Sequence, residues 1–186
     1  YSTQQEYLDK VTGKNAIYEF EVVEAINDIS KWEIDSLGRY VEANCEGLSA
    51  KDSVKLGFYY LSHSVPQDSK AFDSDTTIYI NYTGRLLNGR VFDTTIKDTA
   101  VMYGIYSSKN KYTPKEVKYY KDDYNQITLA GNKVIDGFSY TIHKMKPYEK
   151  ASGIFISEYG YSSSGTGNTI PPYAALRFDI EIVDKP

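Results

Sequence analysis

Between Leu176 and Ile182 the chain alternates without a break: Leu176, Phe178, Ile180 and Ile182 are apolar, and Arg177, Asp179 and Glu181 between them are charged. A repeat of two is the signature of a strand with one buried face and one wet face. Directly upstream stand Pro171 and Pro172. Neither donates a backbone hydrogen bond, so both belong just outside the strand, where they stiffen the loop that delivers Thr169 and Ile170. A rigid loop carrying an apolar side chain at the mouth of a sheet is either a well-made turn or one wall of a pocket.

Several other stretches carry the strand pattern. SVKLGFYYLSH reads as the first strand, and TTIYINYTG places Ile78, Ile80 and Tyr82 on one face with Tyr79, Asn81 and Thr83 on the other. Asn88-Gly89 follows two leucines and precedes RVFDTT, a strong signal for a tight hairpin. QITLAG and KASGIFIS read as further short strands. In VIDGFSYTIHKM the spacing changes: Phe138, Ile142 and Met145, at steps of four and three, form one apolar stripe on a short helix. Many short antiparallel strands with one short helix between them predict an α+β domain with the helix packed on one sheet.

The first 52 residues differ in texture from residues 53–186 and read as a mainly helical extension. Ser30 stands three residues before Glu33, the spacing of a capping box. Ile34, Leu37, Tyr40 and Val41 then share a helical face, which predicts a helix over about 31–43. IYEFEVVEAI fits either state, because Tyr18, Phe20 and Val22 alternate like a strand while its Glu and Ala content suits a helix; it is read as helix. Residues 96–125 form a connection of uncommon length inside a compact domain, the kind that is usually functional. Within it TPKEVKYYK is read as a short helix starting at Thr113.

Composition narrows the chemistry. Charged residues at 25% and apolar residues at 41% of a 186-residue chain place it among globular proteins with one substantial core. A net charge of −4 argues against nucleic acid as the main partner, and no apolar run approaches the ~18–20 residues that span a bilayer. Cys45 is alone, so it forms no intramolecular disulfide and is read as a small buried hydrophobe. His63 and His143 lack acidic or cysteine neighbours at ligand spacing, and no Ser-His-acid set stands out. Neither a metal nor a cofactor is expected, and an enzyme of this composition would work without a nucleophile. The 19 tyrosines are read mostly as strand surface and loop packing. The first residue is tyrosine, which fits a removed leader as well as a trimmed start; a bacterial extracytoplasmic location with the leader removed is the expectation.

Three blocks organise these pieces. IYINYTGRLLNGRVFDTT, then VIDGF, then EYGYSSSGTGNTIPPYAALRFDIEI resemble the FKBP-type (immunophilin) peptidyl-prolyl cis-trans isomerases, in that family's order. They match its YTG-x-L-x-(D/N)G-x-x-FD pattern, its VI-x-G-aromatic pattern and its IPP-x-A-x-L-x-F-(D/E) ending. The resemblance covers residues 53–186 apart from the inserted segment at 96–125, and does not reach residues 1–52. It implies an antiparallel five- or six-stranded sheet wrapped around a short helix, with an apolar pocket between them. Carried over residue by residue, it implies catalytic roles for Tyr82, Phe92, Asp93, Tyr161 and Phe178. Substrate-binding roles fall to Val134, Ile135, Phe138 and Ile170, and the two prolines fix the loop that sets Ile170 over a bound proline ring.

The resemblance also implies partners: proline-containing polypeptide clients, macrolide inhibitors, and a second copy of the chain through the N-terminal extension. Four departures stand out. Gln126 lies where the family places an aromatic wall, unless a register shift substitutes Ile127; serines follow Tyr161; Pro147-Tyr148 replaces a glycine turn; and residues 96–125 are inserted beside the pocket. Two function classes therefore remain open. One is a cofactor-free prolyl isomerase that assists folding. The other is a catalytically weak binding or chaperone module that holds partners through the insertion and the N-terminal region, and a pocket filled by Tyr103, Tyr106 or Tyr112 would favour it.

Overall fold

The computed structural model describes residues 18–22, 25–67 and 69–186. Eleven elements carry the fold: α1 (Ile29–Asn44), β1 (Phe58–Ser64), β2 (Thr76–Leu86), β3 (Val91–Thr94), α2 (Lys97–Met102), β4 (Lys115–Tyr119), β5 (Thr128–Leu129), β6 (Asn132–Lys133), α3 (Asp136–Lys144), β7 (Lys150–Phe155) and β8 (Leu176–Val183). Among the described residues the eight strands form one sheet in the order β1-β7-β8-β2-β4-β5-β6, with β3 paired to β2 off that path. Every pairing is antiparallel. The strand count exceeds the five or six implied by the resemblance because β4 extends the sheet and β5 and β6 form a two-residue pair.

The longest pairing joins β2 to β8, from Tyr79 opposite Val183 to Leu86 opposite Leu176. It brings the two alternating runs into register. Ile78, Ile80 and Tyr82 share a buried face with Phe178, Ile180 and Ile182, and the charged residues of β8 fall on the other side, as period-two geometry requires. The Asn88-Gly89 turn closes as expected: Gly89 N–H donates to Leu86 O at 2.9 Å and Arg90 N–H to Asn88 Oδ1 at 3.0 Å, with Gly89 at φ +88.

Helix α3 packs its predicted stripe onto the inner face, where Phe138, Ile142 and Met145 are all buried. Close approach is possible because glycine lies on both partners. A Cβ at Gly137 would meet the Phe155 ring, and one at Gly153 would land on the Thr141 hydroxyl. On the outer face α1 covers β1 and β7, joining Leu37, Val41 and Cys45 to Tyr59, Ile154 and Ile156 in a second cluster. Cys45 is therefore the small buried hydrophobe it was read to be. No helix among the described residues is long and apolar enough to cross a membrane.

Three local readings are corrected. Helix α1 begins at Ile29 and is capped by Asp28, whose carboxylate accepts from Lys31 N–H at 3.0 Å. Asp28 offers an earlier cap than Ser30, so Ser30 lies inside the helix and Glu33 is freed from a capping box. Residues 18–22 and 25–26 are not helical, and Tyr18, Phe20 and Val22 are exposed. Their alternation with Glu19 and Glu21 gives no continuous helical face to bury; the readings over 1–17 and 23–24 lie outside the described residues. TPKEVKYYK holds a strand where a helix was expected. Val117 and Tyr119 are buried while Lys118 between them is exposed, and the backbone pairs with the N-terminal half of β2. A free strand edge there decides the state of a segment whose own propensity is weak.

Thr141 and Gly153 give the first prediction. Gly153→Ala should lower stability by ~1–3 kcal/mol through overpacking, and adding Thr141→Ala should recover part of that loss. Urea unfolding of the single and double variants reads both; equal midpoints for Gly153→Ala and the wild type would refute the packing.

Candidate active site

A cavity of about 670 Å³ opens between the inner face of the sheet, the start of α3 and the loop ahead of β8. Four aromatic rings make its floor, each set edge-on to a neighbour. Phe138 meets Phe178 at 5.0 Å between ring centres, Tyr82 meets Phe138 at 5.3 Å, and Phe92 meets Phe178 at 5.5 Å. Such edge-to-face pairs are favoured by the ring quadrupoles and hold the floor in one arrangement. Val134 and Ile135 line the side where β6 turns into α3. Asp93, Tyr161 and Ile170 also line the cavity, so all nine residues singled out in the sequence meet at one place.

Ile170 is held by its loop. Thr166 and Ile170 form an isolated antiparallel bridge, with Thr166 N–H donating to Ile170 O at 2.8 Å. Tyr173 N–H donates across the loop to Ser162 O at 2.9 Å. Gly165, at φ +59, lies so close beneath Pro171 and Pro172 that a Cβ would strike their backbone. The prolines thus sit over a bridged loop whose Ile170 is only 2% exposed, and the segment is a pocket wall.

Tyr82 and Asp93 are tied together. The phenol donates to Asp93 Oδ2 at 2.7 Å, a short charge-assisted bond. Strand β3 is placed for this by buried threonines: Thr94 Oγ1 donates to Tyr82 O at 3.0 Å and Tyr82 N–H donates to Thr95 Oγ1 at 2.9 Å. Burial first, and then the Asp93 carboxylate, push the Tyr82 phenol above its usual range. The same two causes, in the same order, raise that of Tyr161. Both phenols are therefore kept protonated, as hydrogen-bond donors. Ile135 is the N-cap residue of α3 and lines the cavity.

Four lining residues were not singled out as binding residues. Leu129 supplies the wall near which Gln126 had been considered; Gln126 is exposed and donates to Asp123 Oδ2 at 3.1 Å, while Ile127 is 1% exposed in the core. The shared parity of Ile127 and Leu129 in QITLAG carried that signal. Lys133, Thr166 and Thr169 add polar groups to the lining, and nothing in their spacing distinguished them. The tyrosines of the 96–125 segment do not line this cavity. Tyr106 stacks on Tyr112 at 5.5 Å, and Tyr112 Oη accepts from Ser107 N–H at 2.9 Å, so the stretch from Tyr106 to Tyr112 packs on itself. His63 and His143 also lie elsewhere, with Nε2 within 2.6 Å of Ser152 Oγ and 2.7 Å of Lys121 O respectively.

Comparisons with known proteins agree with this geometry. Residues 68–183 match the family model described as FKBP-type peptidyl-prolyl cis-trans isomerase. A probable FKBP-type peptidyl-prolyl cis-trans isomerase of Haemophilus influenzae is 30% identical over 111 residues, covering 60% of this chain and 36% of the relative. FK506-binding protein 1 of Dictyostelium discoideum is 28% identical over 108 residues, covering 58% of this chain and 79% of that protein. The chain thus spans about a third of the length of the Haemophilus relative and most of the Dictyostelium one. A crystal structure of a peptidyl-prolyl cis-trans isomerase from Pseudomonas syringae pv. tomato superposes with a TM-score of 0.52 at 17% identity, covering 86% of this chain and 98% of that one. At that identity the likeness is one of fold.

The raised phenols predict an alkaline limit. A group whose pKa is higher folded than unfolded contributes stability that is complete below the unfolded value, ~10 for tyrosine, and is lost as pH rises through the folded one. The urea midpoint should therefore fall above about pH 10, and Tyr82→Phe, which removes one such group, should fall less steeply. Identical slopes for the two proteins would refute the assignment to Tyr82.

Proposed function

Because the chain belongs to the FKBP-type peptidyl-prolyl cis-trans isomerase family, we propose that its aromatic cavity accelerates rotation about X-Pro bonds in polypeptide clients and so assists their folding. The barrier to that rotation, ~18–20 kcal/mol, is the amide resonance that twisting breaks. Uncatalysed exchange takes tens to hundreds of seconds. No bond is made or cut, so a site that favours the twisted imide over both planar forms is sufficient.

The residues suit that task in distinct ways. Phe138, Phe178, Phe92 and Tyr82 take the proline ring into an apolar floor and remove water from the imide. The planar imide is the more polar form, and loss of that water weakens it relative to the twisted one. Ile135 N–H and the Tyr161 hydroxyl donate to the carbonyls that flank the bond, and Ile170 closes over the ring. Asp93, oriented by Tyr82, places its charge against the turning carbonyl. What supports this reading most directly is an aromatic cavity that holds the hydrogen-bonded Tyr82–Asp93 pair and is not lined by the tyrosines of the neighbouring segment. Two subsidiary proposals accompany it: macrolide inhibitors occupy the same cavity, and residues 1–52 form an N-terminal extension of the domain over 53–186 through which two chains pair.

The decisive experiment follows cis-to-trans conversion of a short X-Pro peptide. The wild type should exceed the uncatalysed rate, and Asp93→Val and Tyr161→Phe should each lose about tenfold in kcat/KM, equivalent to ~1.4 kcal/mol of transition-state stabilisation. Both variants should keep a cooperative unfolding transition. A folded wild type that leaves every peptide at its uncatalysed rate overturns the reading in favour of a binding module.

A further inference from the structure

Glu33 is a carboxylate where an amphipathic helix would ordinarily carry an apolar residue. It lies on the face of α1 turned to the sheet and is only 6% exposed. A buried charge is tolerated when it is fully hydrogen-bonded, and one kept in such a place calls for a reason beyond packing. Its two oxygens are divided between two donors of one distant residue. Oε1 accepts from Ser157 N–H at 3.1 Å, and Oε2 accepts from Ser157 Oγ at 3.0 Å.

Ser157 opens the short 3-10 turn Ser157–Tyr159, whose preceding residue, Ile156, offers no side-chain cap. The first N–H groups of a helical turn have no partner within it. Glu33 supplies that partner from the other end of the chain, 124 residues away in sequence. Two residues flanking Tyr161 in turn hang on Ser157: its carbonyl accepts from Gly160 N–H at 2.8 Å and from Ser162 N–H at 2.9 Å. Tyr161 O then accepts from Ser164 N–H and Gly165 N–H at 3.2 and 3.1 Å. The turn is tied on its other flank by Ile156 N–H to Gly57 O at 3.0 Å and by Tyr159 Oη to Leu56 O at 2.9 Å.

We propose that Glu33 is a positioning residue of the active site, through which helix α1 caps the Ser157 turn and fixes Tyr161 at the cavity. The proposal rests on the isomerase reading for its consequence in catalysis, but not for its structural content. It gives the N-terminal helix a role that covering the outer sheet face does not require. Leu37 and Val41 suffice for that, and Asp28 already caps the helix.

Two measurements test it together. Amide hydrogen exchange should show residues 157–165 opening about tenfold faster in Glu33→Ala, with the amides of β2 and β8 unchanged. In peptide isomerisation Glu33→Ala should lose about fivefold in kcat/KM, because a misplaced hydroxyl is a poorer donor to the transition state. Glu33→Gln, which keeps an acceptor for the N–H and replaces the other acceptor with an NH2 that donates to the Ser157 oxygen once the hydroxyl turns, should restore most of both. Placed in a Tyr161→Phe background, Glu33→Ala should add no further loss, an outcome that a general loss of stability would not produce. Ser157→Ala removes one of the two bonds and should give an intermediate exchange rate, which keeps the test open if Glu33→Ala fails to fold. Unchanged exchange over 157–165, a rise shared by the whole sheet, or an equal loss in the Tyr161→Phe background overturns the proposal. A wild type without activity on any peptide overturns the isomerase reading, and exchange then decides the role of Glu33 alone.

Discussion

The cavity depends on a side chain that is missing. Gly84 lies in β2 directly opposite Phe178 of β8, and a Cβ there would come within 2.6–2.7 Å of the Phe92 and Phe178 rings. Real side chains do not approach so closely, so any other residue would push these rings apart. The glycine of the YTG block is thus the space in which two floor rings meet edge to face. The register that puts it there is fixed by the β2–β8 pairing, because a slip of one residue would turn every apolar side chain of either strand outward. Packing and site share this constraint: the alternation that builds the core also sets Tyr82 and Phe178 two residues further along the same faces.

The two sides of the sheet solve opposite electrostatic problems. Inside, two phenols stay protonated beside one carboxylate in an apolar setting. Outside, Asp179 is surrounded by cations and donors: Arg85 at 2.8 Å, Arg177 at 2.7 Å and the Ser152 hydroxyl at 2.5 Å. Burial alone would raise the Asp179 carboxyl, but the hydrogen bonds from Ser152 and Arg177 outweigh it and hold the group below its usual range. Phe178 and Asp179 are neighbours in sequence. The pleat separates an aromatic floor from an ion cluster by one residue, which is how a short strand serves both faces.

What the sequence made legible was local. The β8 alternation, the Asn88-Gly89 hairpin and the Phe138–Ile142–Met145 stripe each state their geometry within a dozen residues, and the three blocks brought together residues that the structure places around one cavity. What it hid was decided by distant partners. Lys115–Tyr119 became a strand because β2 offered a free edge, and residues 18–22 stayed out of helix because nothing gave them a face to bury. Leu129 replaced an aromatic wall through the local register of a two-residue strand. Glu33 is the sharpest case: three residues after Ser30 it has the spacing of a local cap, yet Asp28 took that role and the carboxylate went to Ser157.

That exchange of roles bears on how such a site is held. A loop carrying a hydrogen-bond donor over an apolar floor cannot be fixed by the floor, because apolar burial is non-directional while hydrogen bonds are directional. Tyr82 is fixed within the sheet, by Thr94, Thr95 and Asp93. Tyr161 sits in a turn rich in serine and glycine, whose own sequence constrains the backbone weakly. The order it needs has to come from outside, and the structure brings it from two directions: the residues just ahead of β1 and the buried carboxylate of α1. A domain that carries its donor on a soft turn gains from a helix laid against the back of its sheet. On this argument the outer helix and the inner cavity are parts of one arrangement, joined through the backbone of Ser157.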